Sequence, residues 1–133
     1  MKNREIFPVC LLLVILCTAC RPELGTGTFI KDCDAPDGRY SFVLDFSDST
    51  LSRDIEFYTR SRRKDDKSYP LFVTWTSPSG ESYCETVYMR VGSVAGVREK
   101  YRTNTIPVEP GEWILTVAPQ CRSDLLFGFG VIY

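Results

Sequence analysis

The residue types that do chemistry are few in this chain, and one is missing: there is no histidine among its 133 residues. Without imidazole there is no Ser-His-Asp or Cys-His activation of a nucleophile, no imidazole metal cluster and no ordinary general base near neutral pH. Catalysis would have to run on carboxylates, Tyr or Lys. Asp45, Glu56, Glu85 and Glu112 are the candidates, because two carboxylates about 5–10 Å apart in a cleft can hydrolyse a glycoside. Nothing marks one pair among them, and polar positions on solvated sheet faces account for all four.

Asp32-Cys33-Asp34-Ala35-Pro36-Asp37-Gly38 sets three carboxylates before a glycine turn. A calcium loop of the EF-hand type needs D-x-D-x-D-G and a closing Glu. This segment has one residue too many and no such Glu, so an acidic turn entering a strand is expected, with no metal. Trp75, Trp113, Tyr58, Tyr83, Tyr88 and Tyr101 could stack on sugar rings if exposed. Both tryptophans fall on apolar faces, which points to core packing instead.

The basic run Arg60-Ser61-Arg62-Arg63-Lys64 is followed at once by Asp65-Asp66, and reads as a solvated hairpin tip. Arg60, Arg62, Arg63, Lys64, Asp65 and Asp66 are the expected partner-binding residues, together with the irregular stretch from Gly92 to Tyr101. Loops held by a rigid scaffold are the usual place for recognition.

Cys20 belongs to a different kind of chemistry. Lys2 and Arg4 open the chain, an apolar run from Ile6 to Leu16 follows, and small residues Thr18 and Ala19 precede Cys20. The apolar run is too short to span a bilayer, which needs roughly 20 residues; with a small-residue cleavage site it reads as a secretory signal over residues 1–19. Leu16-Cys17-Thr18-Ala19-Cys20 resembles a bacterial lipobox, in which the last Cys is acylated and becomes the new N-terminus. Cys17 departs from the usual Leu or Val three residues before the acceptor. An ordinary secreted protein cut nearby is the competing reading. Acyl chains on Cys20 would anchor the domain to a membrane, and Arg21 to Thr28, rich in Gly and Pro, would tether it over at most roughly 26 Å, at about 3.3 Å per residue.

Cutting before Cys20 leaves 114 of the 133 residues, enough for one domain with a real core. It removes two of 16 basic and one of 17 acidic side chains, giving a net charge of −2. That balance argues against nucleic acid as a partner. No cofactor motif is present. Cys33, Cys84 and Cys121 would remain; three thiols allow at most one internal disulfide.

Residues 29–133 must position these groups, and period-2 alternation dominates them. Phe42, Leu44 and Phe46 share one face of a strand. So do Ile55 and Phe57; Leu71, Val73 and Trp75; Tyr83, Val87 and Met89; Trp113, Leu115 and Val117; and Phe127, Phe129, Val131 and Tyr133. Ser77-Pro78-Ser79-Gly80 reads as a tight hairpin and Glu109-Pro110-Gly111-Glu112 as another turn. The expected fold is an all-β antiparallel sandwich of six to eight strands.

Several pieces, in order, resemble the gliding-motility lipoprotein H family of Bacteroidetes. They are Tyr69-Pro70-Leu71-Phe72-Val73, Ser77-Pro78-Ser79-Gly80, Glu85-Thr86-Val87, Tyr101-Arg102-Thr103-Asn104, Gly111-Glu112-Trp113 and the segment from Gln120 to Gly128. Cys121 stands where that family has Met, and the spacing to Gly128 differs slightly. The resemblance covers about residues 69–130. It implies a non-catalytic, membrane-anchored envelope lipoprotein; the periplasmic face of the outer membrane is expected because Arg21 to Gly25 carries one acidic residue and not the acidic cluster that resembles a surface-export signal. Its partners would be envelope proteins of the gliding and type IX secretion apparatus. The alternative is a carbohydrate-binding surface lipoprotein of a glycan-uptake system.

Overall fold

A computed structural model describes residues 27–48, 50–121 and 124–133. Cys20 and all but the last two residues of the tether lie outside them. The described chain forms eight strands: β1 (Gly27–Lys31), β2 (Tyr40–Asp45), β3 (Arg53–Ser61), β4 (Asp65–Thr76), β5 (Ser82–Gly92), β6 (Val97–Thr105), β7 (Glu112–Pro119) and β8 (Leu126–Ile132). Two antiparallel sheets of four result, sheet A in the order β1-β8-β3-β6 and sheet B in the order β2-β7-β4-β5. The fold is a β-sandwich, and the described residues contain no α-helix.

Alternation sets which side chains fill it. Phe42, Leu44, Leu71, Val73, Leu115 and Val117 from sheet B meet Ile55, Phe57, Phe129 and Val131 from sheet A, all buried. Phe129 is the hub, with Tyr40, Phe42 and Phe57 rings 5.5, 6.2 and 5.1 Å from its own. Both tryptophans are core-facing, Trp75 9% and Trp113 6% exposed. Tyr83, 47% exposed, and Phe127 are exceptions among the apolar positions placed on strand faces by alternation. A bulge between Arg60 and Ser61 on the neighbouring strand shifts the register, Leu126 takes the core position, and the Arg60 and Arg62 guanidinium groups lie 5.2 and 5.9 Å over the Phe127 ring.

Two strands differ from the sequence expectation. The stretch from Gly92 to Tyr101 reads as irregular, yet its second half, from Val97, belongs to β6, the edge of sheet A. The strand's outward positions Arg98 and Lys100 are charged, its inward ones include Glu99 beside Tyr101, and a register shift at Ile55–Glu56 turns Arg102 towards Glu85 of sheet B. An edge strand covered on one side only does not need apolar alternation. β1 begins at Gly27, so Gly27 and Thr28 are paired with β8 rather than part of a tether. Phe29 of this strand lies on the outer face over Gly128, where a Cβ would come within 2.3 Å of its ring. The glycines of Phe127-Gly128-Phe129-Gly130 thus make room for a side chain from the neighbouring strand.

The turns follow the local chemistry. Gly80, at φ 93°, closes the β4–β5 hairpin, donating its N–H to Ser77 O at 2.9 Å. Gly111, at φ 128°, exchanges two backbone bonds with Phe46 and so extends the β2–β7 ladder. Arg62–Lys64 is not a hairpin tip: β3 and β4 belong to different sheets, and the segment is a crossover between them.

This connectivity gives the sandwich two distinct ends. Gly27, the 46–52, 77–81 and 106–111 loops and Tyr133 share one, the tether end. The 32–39, 62–64, 93–96 and 120–125 loops share the other.

Candidate functional site

The charged residues expected to meet a partner are gathered at the far end, and most are engaged there. Arg62 pairs with Asp32 at 3.8 Å and Arg63 with Asp124 at 3.5 Å. Asp65 accepts the Tyr69 hydroxyl at 2.5 Å and the Lys67 N–H at 2.9 Å; these bonds hold its carboxyl below the usual range. Lys64, Asp65 and Asp66 line one shallow depression with Ser93, Val94 and Ala95. The two loops singled out in the sequence therefore do meet, with Ser61 N bonded to Ser93 O at 3.0 Å. Nearby, Tyr40 donates to Asp32 at 3.1 Å. Burial first, then three neighbouring aspartates, push the half-buried Cys121 thiol up, so it is held as a poor nucleophile.

The candidate carboxylates do not converge on a cleft. Glu56 is ion-paired to Arg98 on the outer face of sheet A. Glu85 accepts from Tyr101 and from Arg102, the latter at 2.6 Å. Asp45 and Glu112 are direct cross-strand neighbours, but both are exposed on a flat sheet, and Asp45 already accepts from Ser47 N at 2.9 Å. Among the described residues no group of three or more Cys, Asp or Glu is placed to hold a metal. The Asp32–Gly38 segment folds into two short 3-10 turns instead.

The tether end carries an apolar cleft of about 240 Å³, between Phe46, Trp75, Tyr83 and Trp113 on one side and Ile106, Pro107 and Val108 on the other. Tyr83 stacks on Trp113 at 6.3 Å, and Trp113 meets Trp75 edge to face at 6.1 Å. Arg102 and Thr105 complete the lining of the cleft, and the polar groups of its Trp and Tyr side chains are already committed. Trp75 Nε1 donates to the Tyr101 hydroxyl at 2.9 Å, Trp113 Nε1 to Glu109 O at 3.1 Å, and the Tyr83 hydroxyl to Glu81 at 2.7 Å. A cleft whose lining is mostly apolar and whose Trp and Tyr donors are engaged suits an apolar group better than a sugar, whose hydroxyls need partners.

The two outer sheet faces differ sharply. Sheet A's carries Arg98–Glu56 and Lys100–Asp54 ion pairs. Across sheet B the outward positions run Ser41 and Val43 on β2, Ile114 and Thr116 on β7, Phe72, Thr74 and Thr76 on β4, and Ser82, Cys84, Thr86 and Tyr88 on β5. None is charged in a chain whose residues are 25% charged. Tyr88 is 71%, Val43 59% and Phe72 51% exposed. Charge is confined to the ends of this face, at Asp45 and Glu112 and at Arg90. On β2, β7 and β4 every member alternates with a core residue, so the signal was present in the sequence as the outward phase of the alternation. Ile106 and Val108 had no such signal, because the 106–111 loop has no period.

No protein-family model, no curated protein and no solved structure matches this chain.

Proposed function

We propose that the protein is a membrane-anchored, non-catalytic envelope lipoprotein that acts by contact with other envelope proteins. The uncharged outer face of sheet B carries this reading. Protein interfaces are depleted of charge and enriched in aromatic residues at their centre. A face with Val43, Phe72, Tyr88 and Ile114 set among Ser and Thr hydroxyls has that composition. The lipobox-like segment ending at Cys20 supplies the anchor, and the resemblance to gliding-motility lipoprotein H suggests an accessory part of the gliding and type IX secretion apparatus, at the periplasmic face of the outer membrane. The charged loops from Arg60 to Asp66 act at the rim of this arrangement, where charges steer encounter more than they hold a complex.

A carbohydrate-binding role is the second reading, favoured by Trp75, Tyr83 and Trp113 lining one cleft. The committed indole and phenol donors weigh against it.

Cross-linking in intact cells tests the contact reading. A photoreactive residue at Thr74 should capture a specific envelope protein, and Phe72→Glu should abolish capture while leaving the melting temperature unchanged. Capture that persists in Phe72→Glu, or glycan binding by the purified protein that shifts Trp fluorescence, would contradict it.

A further inference from the structure

Four large apolar side chains are more than half exposed in the loops of the described residues, and three of them share one end. Leu51 (53%), Ile106 (58%) and Val108 (83%) lie in the 46–52 and 106–111 loops at the tether end; Val94 (53%) is at the other. Singly exposed apolar residues are ordinary, but three of the four share one tip, and Ile106 and Val108 stand two residues apart on one loop. β1 starts at this same end, Gly27 pairing with Ile132. The described chain therefore begins at this end.

We propose that the tether end of the sandwich seats on the bilayer, with Ile106 and Val108 entering the interface. The inference rests on acylation of Cys20. Residues 21–26 extend at most roughly 20 Å, at about 3.3 Å per residue, so the end from which they emerge is held near the headgroups. β1 and β6 are the outer strands of sheet A, separated by three strand spacings, roughly 14 Å at about 4.8 Å each. The anchor thus enters at one edge and the Ile106–Val108 loop descends at the other, giving two footholds that restrain tilt. Aliphatic side chains on a loop gain from the acyl boundary, and acylated proteins hold more firmly with a second contact. Asp48, Glu81 and Glu109 sit in loops of the same tip, so the fitting lipid surface is zwitterionic; anionic headgroups would repel it. Seated this way, the uncharged face of sheet B stands upright and open to partners beside it.

The test uses the mature lipidated protein purified from membranes and reconstituted in phosphatidylethanolamine–phosphatidylcholine vesicles with brominated acyl chains. Val108→Trp should lose most of its added indole emission to bromine quenching and shift to the blue, while Val94→Trp should lose none. Adding phosphatidylglycerol should weaken the quenching. Equal quenching of the two variants, or none for Val108→Trp while the protein still floats with the vesicles, would overturn the seating and leave the anchor intact. If wild type does not float with vesicles and Cys20→Ser behaves like it, the anchor reading fails and the seating falls with it.

Discussion

The indole N–H of Trp75, on sheet B, donates to the hydroxyl of Tyr101, on sheet A, at 2.9 Å. Their rings stack 6.3 Å apart at 11°, and Tyr101 stacks in turn on Phe57 at 4.3 Å. The Tyr101 hydroxyl then donates to Glu85, which Arg102 also holds. This polar chain closes the open side of the sandwich where edge strands β5 and β6 meet, and it forms one wall of the route to the apolar cleft.

Tyr101→Phe keeps the ring stack and removes the hydroxyl, leaving Trp75 Nε1 and one Glu85 bond without a partner. The expected cost is about 1–2 kcal/mol, read as a lower denaturant midpoint with an unchanged slope. A variant as stable as wild type would show that this chain of bonds adds nothing.

Thr59 supplies the opposite case. It is 2% exposed on the inward face of β3, and its hydroxyl has no hydrogen-bond partner. Thr59→Val preserves shape and β-branching while removing a desolvated polar atom, so it should stabilise by roughly 1 kcal/mol. Thermal melting of the purified protein checks this, with a higher midpoint expected.

Stability should fall at both pH extremes through the same network. Burial pushes the Glu85 carboxyl up, but the hydrogen bonds from Tyr101 and Arg102 outweigh it and hold the group below the usual carboxylate range. A depressed carboxylate contributes stability above its unfolded pKa, and that contribution is lost as pH falls through its folded value. Glu85→Gln should therefore lose less stability than wild type on acidification below about pH 4.5. Tyr101 moves the other way: burial and then Glu85 push its hydroxyl up. Its contribution is complete below about pH 10 and is lost above. Melting curves at pH 3, 7 and 11 separate the two, and identical pH profiles for wild type and both variants would refute the assignment.

Much of the fold was legible because alternation encodes burial directly. Phe42 and Leu44 point in and Val43 points out, as their phase requires. β6 was not legible, since an edge strand can fill its inward positions with Glu99 and Tyr101. Neither was β1, whose packing depends on glycines a hundred residues away at Gly128 and Gly130. The segments from Arg60 to Asp66 and from Gly92 to Tyr101 stood out as partner-binding candidates by charge and irregularity, but nothing there showed that they meet, nor that the arginines are tied to Asp32, Asp124 and Phe127. Pairings of that kind join distant segments and leave no local mark. The uncharged face of sheet B was visible residue by residue; only the strand order β2-β7-β4-β5 makes it continuous.

Everything proposed for this protein depends on a domain held at a membrane through Cys20. Detergent-phase partitioning of wild type and Cys20→Ser, each expressed in a lipoprotein-processing bacterium, tests that most directly. The account predicts wild type in the detergent phase, carrying labelled fatty acid, and Cys20→Ser in the aqueous phase without label. Equal partitioning of the two proteins, or wild type without label, would contradict it.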